Sequence, residues 1–339
     1  MSNIDIQTPQ PLLAQAKKLA DTLKFAFNTP SGVPYNDLVI PSQAIDATTN
    51  GLATVGTLVL EWTRLSDLTG NPEYAKLAHK AESYLLNPVP AKNEPFPGLI
   101  GSDIFLSNGN IANNASSWSG GDDSFYEYLI KMWVYDPRRF GKYGERFTLA
   151  AESAMKYLRS EPQKGTVFLT QFNGRNTYNV SQHLTCFDGG TFILAGLTQK
   201  RQDFVNFGLQ LAEGCHNTYA ATVTGIGPDS FGWDKNSVPK GQEQFFQKNG
   251  WYPMNSNYYL RPEVLESIYY AYRATGDPKY QEWSWAAFKA INATCRTTTG
   301  FTEVSDVNAL GGGQKRDNQE SFFFAEVLKY SYLIQAAVS

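Results

Sequence analysis

No run of apolar residues in this 339-residue chain approaches the roughly 20 needed to cross a bilayer, so no membrane-spanning helix is predicted. The opening Met1-Ser2-Asn3-Ile4-Asp5-Ile6-Gln7 is neither a charged n-region nor the prelude to an apolar h-region, and the sequence as read shows no signal peptide. An excess of either charge is missing too. Lys and Arg number 29 against 32 Asp and Glu, a formal charge of −3, and no Lys/Arg cluster stands out, which excludes the basic footprint of a nucleic-acid or anionic-membrane binder. Cysteine is scarce: Cys186, Cys215 and Cys295 leave at least one thiol unpaired, and read by themselves they are three buried thiols or one disulfide and a spare. The chain does have apolar and aromatic residues, 42% and 14% of the total. Aromatic side chains suit sugar stacking but mostly fill cores. The length exceeds one ordinary compact domain and is compatible with a single large helical toroid.

Helical punctuation recurs along the chain. Residues 11–27 read as an amphipathic helix, with apolar residues recurring at three and four. A loop follows, then a mostly apolar helix over 52–65. Thr69-Gly70-Asn71-Pro72 stops it, Gly ending one helix, Asn capping the next and Pro taking its first turn. An amphipathic helix over Glu73–Leu86 completes a hairpin. Thr275-Gly276-Asp277-Pro278 echoes the junction, Tyr135-Asp136-Pro137 is of the same kind, and Thr198-Gln199-Lys200-Arg201-Gln202 is a weaker copy. Pro72, Pro137, Gln202 and Pro278 stand about 65, 65 and 76 residues apart, a quasi-period. The predicted fold class is therefore all-α: an α/α toroid, a barrel of helical hairpins with apolar helices inside and amphipathic ones outside, closing on a last inner helix over 320–334. The long segments 87–121 and 225–257 become end loops, a length often tied to function.

The stretch at the centre of this arrangement is Gly120-Gly121-Asp122-Asp123-Ser124-Phe125-Tyr126-Glu127-Tyr128-Leu129-Ile130 and onward to Tyr135. Nearly every position from Phe125 to Tyr135 is apolar or aromatic, as in an inner helix. Its first turn nevertheless carries Asp122, Asp123 and Glu127. Ser124 and Glu127 have capping-box spacing, and the aspartates complement the helix dipole, which is the structural account of the same residues. If every inner helix is entered from one end of the toroid, that end collects Asp123, Glu127, His183, Arg261, Glu263, Glu266 and Glu320, with Asp46 and Asn50 ahead of the first apolar helix. Taken singly, each has a plain explanation: Pro262-Glu263 as a helix start, His183 as a satisfied loop histidine, Phe322 as core, Glu61, Glu266 and Glu326 as salt-bridged or solvated acids. A converging set of acids is what glycoside hydrolysis needs, one to protonate the leaving oxygen and one to activate water.

Five motifs in order carry a resemblance. They are Gly121-Asp122-Asp123-Ser124-Phe125-Tyr126-Glu127-Tyr128-Leu129-Ile130-Lys131; His183-Leu184-Thr185-Cys186-Phe187 before Gly189-Gly190; Gly225-Ile226-Gly227-Pro228-Asp229; Leu260-Arg261-Pro262-Glu263-Val264-Leu265-Glu266-Ser267; and Glu320-Ser321-Phe322 followed by Ala325-Glu326-Val327-Leu328-Lys329-Tyr330. Together they resemble the class I α-1,2-mannosidases, glycoside hydrolase family 47, most closely the secreted fungal branch. The resemblance covers nearly all of 1–339 and implies a single catalytic domain of (αα)7 type, incomplete at both ends. It implies an inverting, calcium-dependent hydrolase that removes terminal α-1,2-linked mannose from high-mannose N-glycans, a monomer of the secretory pathway or the extracellular space. The alternative is a non-catalytic mannose or N-glycan-binding remnant of the same fold.

Roles follow residue by residue from that likeness. Asp123 and Glu263 match two of the family's three catalytic carboxylates, Glu263 being the base that activates water. Glu127, Glu266 and Glu326 match the acidic shell around a calcium ion and its waters, Glu326 through water, with Glu127 and Glu266 also counted as substrate-binding. Arg261, His183 and Phe322 match residues lining the mannose pocket, Glu61 another of the family's acids, and Asp229 a substrate-binding position where glutamate is usual. Cys186 and Cys215 match a family disulfide closing about 29 residues, a loop whose closure is worth roughly 3 kcal/mol. Matches to the third catalytic glutamate and to the threonine that binds calcium directly are absent from this sequence, so little or no mannosidase activity and weak calcium affinity are expected. Thr54 stands where many members have glutamate and Gly121 where one branch has arginine, differences that bear on glycan-branch preference. Sequons at Asn114, Asn179 and Asn292 suit a secreted protein.

Overall fold

The structure is a computed structural model that describes residues 10–41, 43–45, 47–161 and 163–336. Asp46 lies outside the described residues. By its contacts the chain divides into two units, Met1–Ser116 with Ser124–Ala150, and Ser117–Asp123 with Ala151–Ser339.

In the first unit, helix α1 (Gln10–Leu23) runs into a 3-10 turn, Lys24–Phe27, so the predicted amphipathic helix holds with a tighter last turn. The predicted apolar helix over 52–65 is two pieces, α2 (Leu52–Gly56) and α3 (Val59–Thr69), with the break at Thr57. Close packing accompanies the break: a side chain at Gly56 would meet Phe125 at 2.6 Å. The hairpin junction is as read. Gly70 is left-handed (φ 71°), its N–H donates to the Ser66 carbonyl, and Asn71 Oδ1 accepts the Glu73 N–H at the head of α4 (Glu73–Leu86). Tyr74 and Leu65 bury against Trp62, which also meets Phe27 edge-on at 5.0 Å. Helix α5 (Asp123–Tyr135) belongs to this unit from Ser124 onward and buries Phe125, Tyr126, Leu129, Ile130 and Met132, as its composition requires. At Tyr135-Asp136-Pro137, Asp136 Oδ1 accepts the N–H groups of Arg138 and Arg139 before α6 (Gly141–Ser153).

The second unit stacks α7 (Asp188–Gln199) against α8 (Gln202–Ala220), where Gly189 and Gly208 allow the backbones to meet: a side chain at Gly208 would stand 2.6 Å from the Gly189 carbonyl oxygen. The weak junction copy is real, but its left-handed residue is Lys200 (φ 59°) rather than glycine. A short helix, α9 (Glu243–Asn249), sits in the long 225–257 loop. Helices α10 (Glu263–Thr275) and α11 (Lys279–Cys295) repeat the hairpin, with Gly276 left-handed and Asp277 Oδ1 accepting the Lys279 N–H. The predicted last helix over 320–334 differs. It begins as a π-helix, Phe323–Leu328, and becomes α12 (Lys329–Gln335). The apolar spacing survives the wider turn, since Phe323, Val327, Tyr330 and Ile334 all bury. A three-stranded antiparallel sheet places Ser230–Gly232 between Val180–Gln182 and Tyr252–Asn255, pairing Gln182 with Ser230 and Val180 with Gly232.

Candidate active site

That sheet delivers the site. Its strand Val180–Gln182 ends at His183, whose backbone N–H donates to the Asp229 carbonyl, and Asp229 enters the middle strand. The Asp229 N–H in turn donates to the Asn257 carbonyl just beyond the third strand. Strands of three or four residues thus hold fixed both a histidine and an acid that the sequence keeps 46 residues apart.

His183 is 1% exposed and bonded at both ring nitrogens. Its Nδ1 lies 2.7 Å from Glu263 Oε2 and its Nε2 2.7 Å from the Tyr219 hydroxyl. Burial drives the Tyr219 phenol well above its ordinary pKa, and the nearby Glu263 charge adds to the shift. The phenol therefore keeps its proton; with the carboxylate accepting from Nδ1–H, a neutral ring takes the phenol's hydrogen bond at Nε2. Glu263 is the first residue of α10, where the exposed N–H groups of a helix start favour its negative charge. His183 takes one carboxylate oxygen, and among the described residues no hydrogen bond is made to the other.

Arg261 is held nearby. Its Nε–H donates to Asp229 Oδ1 at 3.1 Å, while Asn255 donates to Asp229 Oδ2 at 3.1 Å. The Tyr258 hydroxyl donates to the Arg261 carbonyl at 3.0 Å. Between them Leu260, wholly buried, adopts φ 57°, a backbone state that a branched side chain disfavours and that packing must enforce. Glu266, one turn into α10, accepts the Tyr330 hydroxyl at 2.9 Å, and burial followed by the Glu266 charge keeps that phenol protonated. Ser267 donates to the Cys186 carbonyl and accepts the Gly190 N–H, tying α10 to the start of α7. The adjoining disulfide joins Cys186 to Cys215 with the Cα atoms 5.8 Å apart, while Cys295 is a buried free thiol pushed up to about 12 by burial.

The remaining residues singled out in the sequence have these surroundings. Asp123 opens α5 and counts with the second unit, where Gly120, three residues earlier, lies against Leu184, the neighbour of His183. Glu127 is ion-paired to Lys131 one turn on. Glu61 accepts the Tyr128 hydroxyl at 2.9 Å. Phe322 packs on the second unit's core just ahead of the π-turn that holds Glu326. Asn50 donates to the Pro34 carbonyl, and Glu320 accepts from Asn318. Among the described residues no three His, Cys, Asp or Glu side chains are grouped so as to hold a metal ion. The side chains present therefore do not by themselves make a cation site.

Sequence reading missed Tyr219, Tyr330 and Asn255, which hydrogen-bond His183, Glu266 and Asp229, and Tyr258, which holds the Arg261 carbonyl. It also missed Glu303, 5% exposed, which accepts from Asn318. The signal available for Tyr219 and Tyr330 was a polar-tipped aromatic at an otherwise apolar helix position, and the others carried none.

Comparison with known proteins fits this geometry. The sequence profile of glycosyl hydrolase family 47 matches residues 1–338. A mannosyl-oligosaccharide α-1,2-mannosidase of Penicillium citrinum is 61% identical over 325 residues, 95% of this chain and 64% of that protein. One from Coccidioides posadasii is 60% identical over 328 residues, 96% of this chain and 63% of that protein. The chain spans just under two thirds of the length of these curated relatives. In three dimensions an α-1,2-mannosidase from Trichoderma reesei superposes with a TM-score of 0.95 at 47% identity, covering 97% of this chain and 70% of that one. A cellobiose 2-epimerase from Bacillus thermoamylovorans, TM-score 0.69 at 11% identity, shares the fold alone. With 53% of residues helical and this match, the expected all-α, α/α-barrel class holds.

Proposed function

The chain belongs to glycosyl hydrolase family 47, and from that premise we propose that it acts on terminal α-1,2-linked mannose of high-mannose N-glycans, as a monomer of the secretory pathway and as one partial catalytic domain. The family profile running through 1–338 supports reading the chain as one domain. The observation that carries the functional reading is the His183–Glu263 pair at the mouth of α10, with Arg261 anchored beside it by Asp229.

In this reading Glu263 is the base. The hydrogen bond from His183 Nδ1 sets the orientation of the carboxylate through Oε2 and leaves Oε1 to take a proton from water. Tyr219 keeps the imidazole in the tautomer that donates. Asp123 is the acid that protonates the departing glycosidic oxygen, with water attacking from the opposite face so that the anomeric centre inverts. Arg261, its guanidinium fixed by Asp229, presents remaining N–H groups to sugar hydroxyls, and Phe322 supplies an apolar wall. Glu61, Glu127 and Glu266 are assigned to sugar contacts. Calcium is what the family implies, with Glu326 as a water-mediated contact, while among the described residues the acids do not gather into a cation site.

The test is anomer-resolved NMR of α-1,2-mannobiose incubated with the chain. Release of the β anomer first, lost in Glu263→Gln, is the expected result. Binding of mannobiose without release would make the chain a glycan-binding protein. Neither binding nor release would overturn both readings.

A further inference from the structure

The three-stranded sheet that carries His183 and Asp229 at one end carries something else at the other. There Asn179 precedes the strand Val180–Gln182, and its carbonyl accepts the Trp233 N–H. Asn179-Val180-Ser181 is one of three Asn-x-Ser/Thr sequons, beside Asn114-Ala115-Ser116 and Asn292-Ala293-Thr294. The structure separates them. Asn179 is exposed, whereas Asn114 is half-buried and Asn292 is half-buried within α11. A glycan attached before folding must still lie outside the protein afterwards, and Asn179 is the most exposed of the three attachment points.

Asn179 also borders a cleft of about 480 Å³, within the small-ligand range of roughly 300–1,000 Å³. Its walls include Tyr178 and Met254, 49% and 54% exposed, together with Tyr252, Pro239 and Asp234. An exposed aromatic face beside a hydrogen-bonding acid matches the two sides of a pyranose: the C–H face stacks and the hydroxyl edge bonds.

We propose that Asn179 is an N-glycosylation site and that the first N-acetylglucosamine of its glycan seats in this cleft against Tyr178. The bond that forms is the N-glycosidic bond from the Asn179 amide nitrogen to C1 of the sugar. The bond that breaks joins C1 to the diphosphate of a lipid-linked oligosaccharide donor; the lipid diphosphate leaves with the electron pair, the amide proton passes to solvent, and nothing is oxidised or reduced. The site rests on the secretory reading for its exposure to the transferase, but not on catalysis by Glu263. Sequon occupancy and mannose release therefore fail independently.

The experiment directs the full chain through a yeast secretory pathway and scores secreted, disulfide-bonded protein by glycopeptide mass spectrometry. Asn179 should be occupied, and Asn179→Gln should lose that one glycan. Asn179→Gln is preferred to Ser181→Ala, since Ser181 is 2% exposed and its loss would disturb the strand. Secreted wild-type chain with Asn179 unmodified, or with glycan only at Asn114 or Asn292, overturns the site. For the seat, the glycan stem is cut with an endoglycosidase under native conditions. Tyr178→Ala, at an exposed position, should speed native release about fivefold relative to wild type, and Met254→Thr should act in the same direction. Native rates unchanged in both variants overturn the seat.

Discussion

Each unit has a histidine bonded to a tyrosine, buried in the second and half-buried in the first, with a glutamate close in space or sequence, and the two arrangements differ in the partner of that glutamate. In the second unit His183 lies between Tyr219 and Glu263, so the carboxylate has a donor. In the first, His79 lies between Tyr143 at 2.8 Å and Thr63 at 3.0 Å, while Glu82, one turn along α4, is 1% exposed with neither oxygen hydrogen-bonded among the described residues. The difference teaches what makes a buried acid useful. Glu263 opens a helix and has a hydrogen-bond partner in His183. Burial alone pushes Glu82 well above the ordinary carboxylate range, so it is held as the neutral acid and acts as part of the core.

The largest effect should come from exchanging the same atom in each place. If the proposed function holds, Glu263→Gln should lower mannose release by about 10²–10⁴-fold, and Glu82→Gln should leave it within about twofold, measured on α-1,2-mannobiose. A comparable loss in both variants would break the contrast.

Next in size is the crosslink that only the second unit has. Replacing Cys186 and Cys215 by serine should cost about 3–4 kcal/mol in urea unfolding, as expected for a closed loop of 29 residues. Little change in the unfolding midpoint would show that the reduced chain keeps the loop closed by other means.

The Glu82 contrast also sets a pH dependence. The folded state binds a proton at Glu82 that the unfolded state releases near its ordinary value of about 4.3. This contribution to stability is full below that value and is lost progressively as pH rises toward the raised folded value. Glu82→Gln should therefore flatten the neutral limb of the stability profile and stabilise the chain at pH 7 by about 1–3 kcal/mol, while matching wild type near pH 4. A destabilised Gln variant at pH 7 would mean that the carboxyl is ionised and paired. His79 has the opposite sign. Burial lowers its pKa, so its contribution is lost as pH falls through the ordinary imidazole range.

The smallest effect compares the hairpin junctions. Gly70→Ala places a side chain on a left-handed residue with open space around it and should cost about 1 kcal/mol, whereas Lys200→Gly relieves the same strain and should gain up to about 1 kcal/mol. Thermal melts of both variants check the pair, and equal shifts of one sign would remove the junctions from the comparison.

What the sequence determined by itself is local. Gly70-Asn71-Pro72 and Gly276-Asp277-Pro278 end and restart helices because left-handed backbone, side-chain capping and a fixed proline φ are properties of three or four neighbouring residues. The greasy run Phe125–Tyr135 forces its helix inward wherever it lies. Recognition of Asp123, Glu263 and Arg261 came from motif likeness, which names residues without placing them. The tertiary structure alone decided where α2 stops, since Phe125 packs onto Gly56 from far along the chain, and where the last helix widens into a π-turn. It alone joined His183 to Glu263 across 80 residues and to Tyr219 across 36, and it alone buried Glu82 without a hydrogen-bond partner among the described residues. The reason is that a carboxyl's charge depends on desolvation and on donors within hydrogen-bond reach, and both are supplied by segments remote in sequence.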